Sequence, residues 1–283
     1  MPVYFESKKN RRKINQDYYL YLEYRVNHEA KMKAMLVADG MGGLESGEVA
    51  AQKAGEKWML KLQKLTISNQ FLGKSLNEQL EQLNNFSYHI INEINEEVYQ
   101  ELSDQGISGG TTLTTAILYW DTLIFSNCGD SPAYYFGKEE QAFYKLSQEQ
   151  NAAEELLKEG KVGRDSMEYW NHKHMLTDYI GKYRKAIPYV TSIPFTSGDC
   201  LLMGSDGAFG KLKEEMIKKC IITYYDKPER IIPYIMQQAE KQGEEDNQTL
   251  LCYMDEPPKG NLESHKEKRG LFRKRQAVKP CIL

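Results

Sequence analysis

Short apolar runs alternate with two long amphipathic stretches in the first half of the chain. The runs at 18–23 and 34–38 predict strands, and apolar positions at three- and four-residue spacing over 46–65 and 76–102 predict helices. Each predicted helix carries one apolar stripe, which is typical of a helix with one buried face. We therefore expect the two helices to pack on the same sheet.

In the middle of the chain, strand follows strand with no helix between them. After Gly109-Gly110, the runs at 111–119 and 122–127 predict one hairpin, and those at 133–136 and 142–146 predict a second. A succession of this kind favours antiparallel sheets over a doubly wound parallel fold.

The last third begins with an irregular stretch and ends with regular elements. Between 148 and 194 only 152–159 has a helical pattern, and an irregular segment of that length inside a compact domain usually carries function or specificity. The elements predicted after it are strands at 200–204 and 249–254 and helices at 211–222 and 228–242. The outline is one α+β domain with two packed antiparallel sheets and helices outside them.

Composition narrows the class of protein. Hydrophobic residues make up 41% of the 283 residues, enough for a sizeable core, and no apolar run approaches the length of a membrane span. The first 13 residues are polar and basic, without the apolar centre of a secretory signal. The five cysteines form no CxxC pair, which indicates reduced structural thiols. We predict a cytoplasmic, monomeric protein.

Charge divides the chain into an acidic body and a basic tail. The net charge is −3, but residues 256–283 hold eight Lys or Arg and three Glu, so the tail carries +5 and the rest −8. The tail also lacks an apolar pattern, which predicts disorder. We therefore predict a domain over 1–256 and a basic C-terminal tail over 257–283, with no specific nucleic-acid partner.

Four short acidic motifs are the main candidates for chemistry. Each places an aspartate at or just beyond a predicted strand, beside glycine or a small polar residue. They are Asn15-Gln16-Asp17, Val37-Ala38-Asp39-Gly40-Met41-Gly42-Gly43, Gly204-Ser205-Asp206-Gly207 and Glu245-Asp246-Asn247-Gln248-Thr249. One Asp-Gly alone is usually a turn, but carboxylates from several strand ends suit Mg²⁺ or Mn²⁺, which prefer oxygen ligands. The set predicts a carboxylate-rich metal centre.

On these motifs the sequence resembles the metal-dependent protein phosphatase family, the type 2C Ser/Thr phosphatases, in its bacterial-like form. Six motifs follow in family order between residues 1 and 254. They are Arg12-Lys13-Ile14-Asn15-Gln16-Asp17, Asp39-Gly40-Met41-Gly42-Gly43, Gly109-Gly110-Thr111-Thr112, Gly129-Asp130-Ser131, Ser205-Asp206-Gly207 and Asp246-Asn247. The resemblance implies a four-layer α-β-β-α sandwich and hydrolysis of phosphoserine and phosphothreonine in proteins.

The same resemblance implies two Mn²⁺ or Mg²⁺ ions, with a water between them that attacks the phosphate, and a third, weaker ion. The residues implied to bind the two ions are Asp17, Asp39, Gly40, Asp206 and Asp246. Asp39 and Asp206 are the catalytic pair, with Asp39 bridging both ions and Gly40 acting through its carbonyl. Asp130 is the implied ligand of the third ion, and Arg12 is implied to grip the substrate phosphate.

Each of these residues also has a purely structural interpretation. Asp39, Asp130 and Asp206 could be turn residues, Asp17 could cap a strand, and Asp246 could belong to a solvated acidic face. Arg12 lies in the basic run 8–13, and we expect the other basic residues of that run to be solvated.

The departures from the family pattern lie mainly around the irregular segment. Some members carry histidine where this chain has Met41, arginine is usual at Pro132, and the motifs at 147–151 and 176–181 are altered. The expected partners are phosphorylated proteins, either substrates of a Ser/Thr kinase or the kinase itself. The alternative is a phosphatase-like module that binds phosphoproteins or regulates a kinase with little turnover.

Overall fold

The computed structural model describes residues 3–43 and 46–254, and the chain forms an α+β sandwich. The strands, in chain order, are β1 (Val3–Lys8), β2 (Tyr18–Arg25), β3 (Lys31–Ala38), β4 (Gly40–Gly42), β5 (Gly109–Thr111), β6 (Leu113–Tyr119), β7 (Thr122–Cys128), β8 (Ala133–Gly137), β9 (Ala142–Lys145), β10 (Tyr189–Pro194), β11 (Cys200–Gly204) and β12 (Gln248–Met254). The helices are α1 (Ser46–Thr66), α2 (Asn69–Leu72), α3 (Leu76–Asp104), α4 (Ala152–Lys158), α5 (Met167–His172), α6 (Asp206–Phe209), α7 (Glu214–Thr223) and α8 (Ile231–Lys241).

Two five-stranded antiparallel sheets form the centre of the molecule. One has the order β1-β12-β11-β8-β9, the other has the order β10-β7-β6-β3-β2, and β4 pairs with β5 in a small separate ladder. The first sheet therefore joins the two ends of the described chain, because Val3 in β1 pairs with Tyr253 in β12.

Three apolar layers hold the sandwich together. Met35, Phe125 and Leu201 are buried between the sheets, whereas Leu36 and Trp58 are buried between the second sheet and helices α1 and α3. The alternation of Met35 and Leu36 follows from the two-residue period of a strand. A third cluster lies between the first sheet and α6, α7 and α8. The predicted α-β-β-α layering is confirmed, as is the shared sheet under the two long helices.

Most predicted elements are present, with some boundary corrections. The run at 111–119 is two strands, because the chain leaves the β4–β5 ladder at Thr112 and joins the second sheet as β6. The helix expected from 228 begins as a 3-10 turn at Pro228–Arg230. Strands β1, β4 and β10 and helices α2, α5 and α6 were not predicted.

Four of the five cysteines lie in the described part of the chain. Cys128, Cys200, Cys220 and Cys252 are buried free thiols, as expected, whereas Cys281 and the whole predicted tail lie outside the described residues. No helix in 3–43 or 46–254 has the length and apolar character needed to cross a bilayer.

Candidate metal centre

Strand register brings the five predicted aspartates to one end of the sandwich. Asp39 follows β3 and Asp17 precedes β2, and Ala38 pairs with Tyr18 between them. In the other sheet Gly204, at the end of β11, pairs with Leu250 near the start of β12, so that Asp206 and Asp246 flank the same end. Asp130 lies in the turn from β7 to β8, where β8 begins opposite Met203.

The carboxylates at this end influence one another. Burial raises the pKa of Asp17 to about 7, and the charges of Asp206 and Asp246 act in the same direction. Burial also raises the pKa of Asp39, and Asp17 and Asp206 add to the effect. The pKa values of Asp130 and Asp206 are raised in the same way, first by burial and then by neighbouring carboxylates. A bound cation would offset this unfavourable concentration of negative charge.

Asp39 is held by the β5–β6 junction. Its backbone N–H donates to Thr112 Oγ1 at 2.9 Å, and its carbonyl accepts from Thr112 N–H at 2.9 Å and from Thr111 Oγ1 at 3.0 Å. These bonds use the backbone of Asp39 and leave its carboxylate to face the cluster. The Gly109-Gly110-Thr111-Thr112 motif therefore supports Asp39.

Gly40 is required by the close approach of two backbone segments. A Cβ atom at this position would lie 2.5 Å from the carbonyl oxygen of Gln16 and 2.3 Å from that of Gly47, closer than any real side-chain contact. The glycine thus lets the start of β4 pass between the loop before β2 and the start of α1.

Asp17 provides the clearest test of whether a cation fits the cluster. Its Oδ2 accepts from Ser205 Oγ at 2.8 Å, a bond that joins the loops of the two sheets. Its Oδ1 is buried and has no partner at hydrogen-bond distance, although the nearby Thr249 hydroxyl lowers the Asp17 pKa. An unpartnered carboxylate oxygen is costly. The simple strand-cap interpretation does not explain this oxygen, whereas a cation or its water shell would satisfy it.

Arg12 lies beside the cluster and pairs with one of its members. A guanidinium N–H donates to Asp246 Oδ2 at 2.6 Å, and 60% of the Arg12 side chain is exposed. The Asp246 hydrogen bond is the main cause of a raised Arg12 pKa, to which Asp206 and Asp39 contribute. The guanidinium is therefore both oriented at the cluster and accessible to an anion from solvent.

Two of the other basic residues of this run, which we expected to be solvated, also form ion pairs at the surface. Arg11 pairs with Glu245 at 2.6 Å, and Lys8 pairs with Glu240. The loop between β1 and β2 runs beside the segment before β12, so that basic residues of one face acidic residues of the other. The sequence separates these partners by more than 230 positions, and no local pattern predicts them.

The irregular segment contributes charge near Asp130 and Asp206. Lys173 and His174 lower the pKa of Asp206, although burial and carboxylates dominate its direction. Lys173 also donates to the carbonyl of Gly210 at 3.4 Å, at the end of α6. His174 is exposed and His172 lies in α5, where its Nδ1 contacts the carbonyl of Glu168. Sequence reasoning did not identify Lys173.

The residues present fit hard divalent cations. No three carboxylate, histidine or cysteine side chains within 3–43 and 46–254 are close enough to form a complete ligand shell by themselves. Mg²⁺ usually keeps several waters and takes only one or two carboxylates directly, so a spread cluster with an unsatisfied Asp17 oxygen suits it. The donors are all oxygen, which favours magnesium or manganese over a soft metal.

The fold and the acidic cluster suit a metal-dependent enzyme, and comparison with known proteins identifies the family. Residues 6–252 match the family described as Protein phosphatase 2C. The chain is 27% identical over 228 residues to the serine/threonine phosphatase stp of Listeria innocua, covering 78% of this chain and 84% of that protein. It is 27% identical over 258 residues to the protein phosphatase PhpP of Streptococcus pneumoniae, covering 87% and 94%.

Solved structures show the same fold. The serine/threonine phosphatase of S. agalactiae superposes with a TM-score of 0.74 at 22% identity, over 89% of this chain and 99% of that one. Stp1 of Staphylococcus aureus superposes with a TM-score of 0.71 at 20% identity, over 90% of this chain and 95% of that one.

The chain belongs to the protein phosphatase 2C family. The predictions of family, fold and a protein-serine/threonine phosphatase are thereby confirmed, and enzymes of this family depend on metal ions.

Proposed function

We propose that the acidic cluster is the active site at which this chain hydrolyses phosphoserine and phosphothreonine in proteins, with two Mn²⁺ or Mg²⁺ ions. The observation that carries the assignment is the buried, unpartnered Oδ1 of Asp17 among carboxylates whose pKa values are raised by burial and by one another. Such a group is unfavourable by itself. It becomes favourable once cations bind.

We assign the ion-binding role to Asp17, Asp39, Gly40, Asp206 and Asp246, with Asp39 shared between the ions and Gly40 acting through its carbonyl. When bound, the ions supply Lewis acidity that activates water and neutralises the phosphate. Asp39 has the backbone anchoring that a shared ligand needs, through Thr111 and Thr112. Ser205 fixes the orientation of Asp17.

Arg12 is the proposed phosphate-binding residue. Its guanidinium already binds the carboxylate of Asp246, and the same planar donor fork binds phosphate oxygens. It therefore orients the substrate at the cluster without contributing a proton. No histidine occupies position 41, so in this proposal the leaving alkoxide takes its proton from water at the site.

Asp130 is the proposed ligand of a third, weaker ion. It is 8% exposed, and burial and the charge of Asp206 raise its pKa, which supports placement beside the main cluster.

We further propose that the substrates are phosphorylated proteins of a Ser/Thr kinase, or the kinase itself, and that the enzyme acts as a monomer in the cytoplasm.

The decisive experiment is turnover by the purified full-length chain. Phosphate release from p-nitrophenyl phosphate and from a phosphothreonine peptide is measured with Mn²⁺, with Mg²⁺ and with EDTA. We expect metal-dependent release from both substrates. Binding of the phosphopeptide without release under any of these conditions would favour the alternative of a binding module.

A further inference from the structure

The loop between β1 and β2, residues 9–17, carries both Arg12 and Asp17 and has no regular structure of its own. It connects strands that belong to different sheets. Its position therefore depends on contacts made along its length. Most of these contacts go to the segment 244–247.

Asn247 makes the central contacts. Its side chain is buried, with the residue 6% exposed. Its Nδ2 donates to the carbonyls of Lys9 at 3.0 Å and Ile14 at 2.9 Å, and its Oδ1 accepts from Gln16 N–H at 2.9 Å. One amide thus holds the loop at its start, its middle and its end.

The path from Asn247 to Arg12 is short. The carbonyl of Lys9 that Asn247 binds also accepts from the backbone N–H of Arg12 at 3.0 Å. In the other direction the backbone N–H of Asn247 donates to Asp246 Oδ1 at 2.7 Å. Asn247 therefore touches the turn that carries Arg12 and the carboxylate with which Arg12 pairs.

The ion pairs of loop 9–17 are less suited than Asn247 to fixing the position of the loop. The Arg12–Asp246 pair is exposed at 60% and 39% of the side chains, and exposed ion pairs contribute about 0–1 kcal/mol. The Arg11–Glu245 pair is more exposed still. A buried amide with each of its bonds satisfied is more rigid, because leaving any partner unpaired carries a desolvation cost.

We propose that Asn247 is a positioning residue for phosphate binding, fixing loop 9–17 so that Arg12 faces the acidic cluster. The proposal rests on the proposed function, because it assigns to Arg12 the role of binding substrate phosphate. Asn247 does not touch substrate. It acts through the backbone of the loop.

Asn95 provides a matched control. It is also a buried asparagine, and its amide bonds to Gly181, Lys182 and Arg184 of a different loop. Asn95→Ala therefore removes a comparable set of hydrogen bonds without touching loop 9–17. A general loss of stability should be similar in both variants.

The test is a double-mutant cycle of Asn247→Ala and Arg12→Ala on p-nitrophenyl phosphate at saturating Mn²⁺. We expect Asn247→Ala to raise KM about 5- to 10-fold, the scale of one or two lost hydrogen bonds. In the Arg12→Ala background the same change should raise KM less than about twofold, because coupled residues are not additive. Asn95→Ala should leave KM close to wild type. Equal effects in both backgrounds would overturn the proposal, as would a purely metal-affinity effect.

Hydrogen–deuterium exchange gives a readout that does not depend on turnover. In Asn247→Ala the amides of residues 9–17 should exchange faster than in wild type, and in Asn95→Ala they should not. Unchanged exchange in this loop would contradict the proposal even in an active enzyme. If the wild type shows no metal-dependent turnover, the proposed function fails, and exchange still decides whether Asn247 fixes the loop. Asn247→Ser serves both measurements if the alanine variant does not fold.

Discussion

At the scale of single residues, the aspartates of the cluster owe their chemistry to their surroundings. Burial and neighbouring carboxylates raise the pKa of Asp39, and its backbone is fixed by Thr111 and Thr112. An aspartate on open surface, such as Asp226, is exposed to water on the outside of the fold. Substitution of Asp226 therefore serves as the control for substitution of Asp39.

We predict that Asp39→Asn lowers Mn²⁺-dependent turnover of p-nitrophenyl phosphate by about 100-fold or more, since even changes to residues that only support a metal ligand cost about 10- to 100-fold. The substitution keeps the shape and removes the charge that two ions share in the proposed site. Asp226→Asn is the control and should retain wild-type turnover. Near-normal activity of Asp39→Asn would show that Asp39 is not a ligand in the proposed site.

Sequence motifs could place the aspartates, with Ser205 and Asn247 beside them, but not the contacts by which those two residues organise the cluster. Asp17, Asp39, Asp206 and Asp246 sit next to strand ends, which is a local signal. Asn247 and Ser205 act through hydrogen bonds to residues 188 or more positions away, and such bonds leave no trace in a local window. The ion pairs of Arg11 and Arg12 with 245 and 246 were missed for the same reason.

At the scale of elements, the path from β3 through β4 to α1 is unusually tight. Gly40 lies against the backbone oxygens of Gln16 and Gly47, whereas a Cβ atom on Gly43 would meet nothing within 4 Å. The two glycines are three positions apart in the same motif. Packing therefore requires glycine at position 40, whereas it does not at position 43.

We predict that Gly40→Ala destabilises the folded protein by about 1–3 kcal/mol, the usual cost of inserting atoms into a packed site. Gly43→Ala should change stability by less than about 0.5 kcal/mol, as surface substitutions do. Urea unfolding followed by circular dichroism measures both. Equal stability of the two variants would mean that the backbone around Gly40 can shift at little cost.

Elements with strong periodicity were predictable, and short or half-exposed ones were not. Helix α3 shows an apolar stripe and begins with a capping box in which Ser75 N–H donates to Glu78. Strand β1 is an edge strand with one buried residue, Val3, and β10 is half-buried along its length. Neither presents the alternation that identifies a half-buried strand, because Val3, Tyr4 and Phe5 are consecutive in β1 and Tyr189 and Val190 are consecutive in β10.

At the scale of the whole molecule, the cluster concentrates negative charge where the two sheets meet. Folding must bring Asp17 and Asp39 of one sheet beside Asp206 and Asp246 of the other, against their mutual repulsion. A ligand that binds only this arrangement stabilises the entire fold by mass action. Metal binding should therefore be visible in the melting temperature.

We predict that Mn²⁺ at about 100 times its dissociation constant raises the melting temperature by about 5 °C, from a stabilisation of about 2.7 kcal/mol. Differential scanning fluorimetry with EDTA as reference measures the shift. The Asp39→Asn variant should show little of it. A shift of equal size in that variant would place the bound ion elsewhere.

The tail after Pro257 is predicted to be separable from catalysis. It lies outside the described residues, and the +5 charge of residues 256–283 without apolar anchors suits contact with an anionic surface. Truncation after Glu256 should leave turnover of p-nitrophenyl phosphate within about twofold, as expected for a terminus that is not tied down. The melting temperature should stay nearly the same. A marked loss in either would show that the tail packs on the domain.

The pairing of β1 with β12 has a consequence for the enzyme while it is being synthesised. Arg12 and Asp17 precede Asp246, Asn247 and the strand beside β1 by at least 229 positions, so the two parts of the centre leave the ribosome at different times. Domains fold as units once their chain is available, so a chain that stalls earlier holds an incomplete centre. Translation-arrested chains ending before residue 244 should therefore release no phosphate.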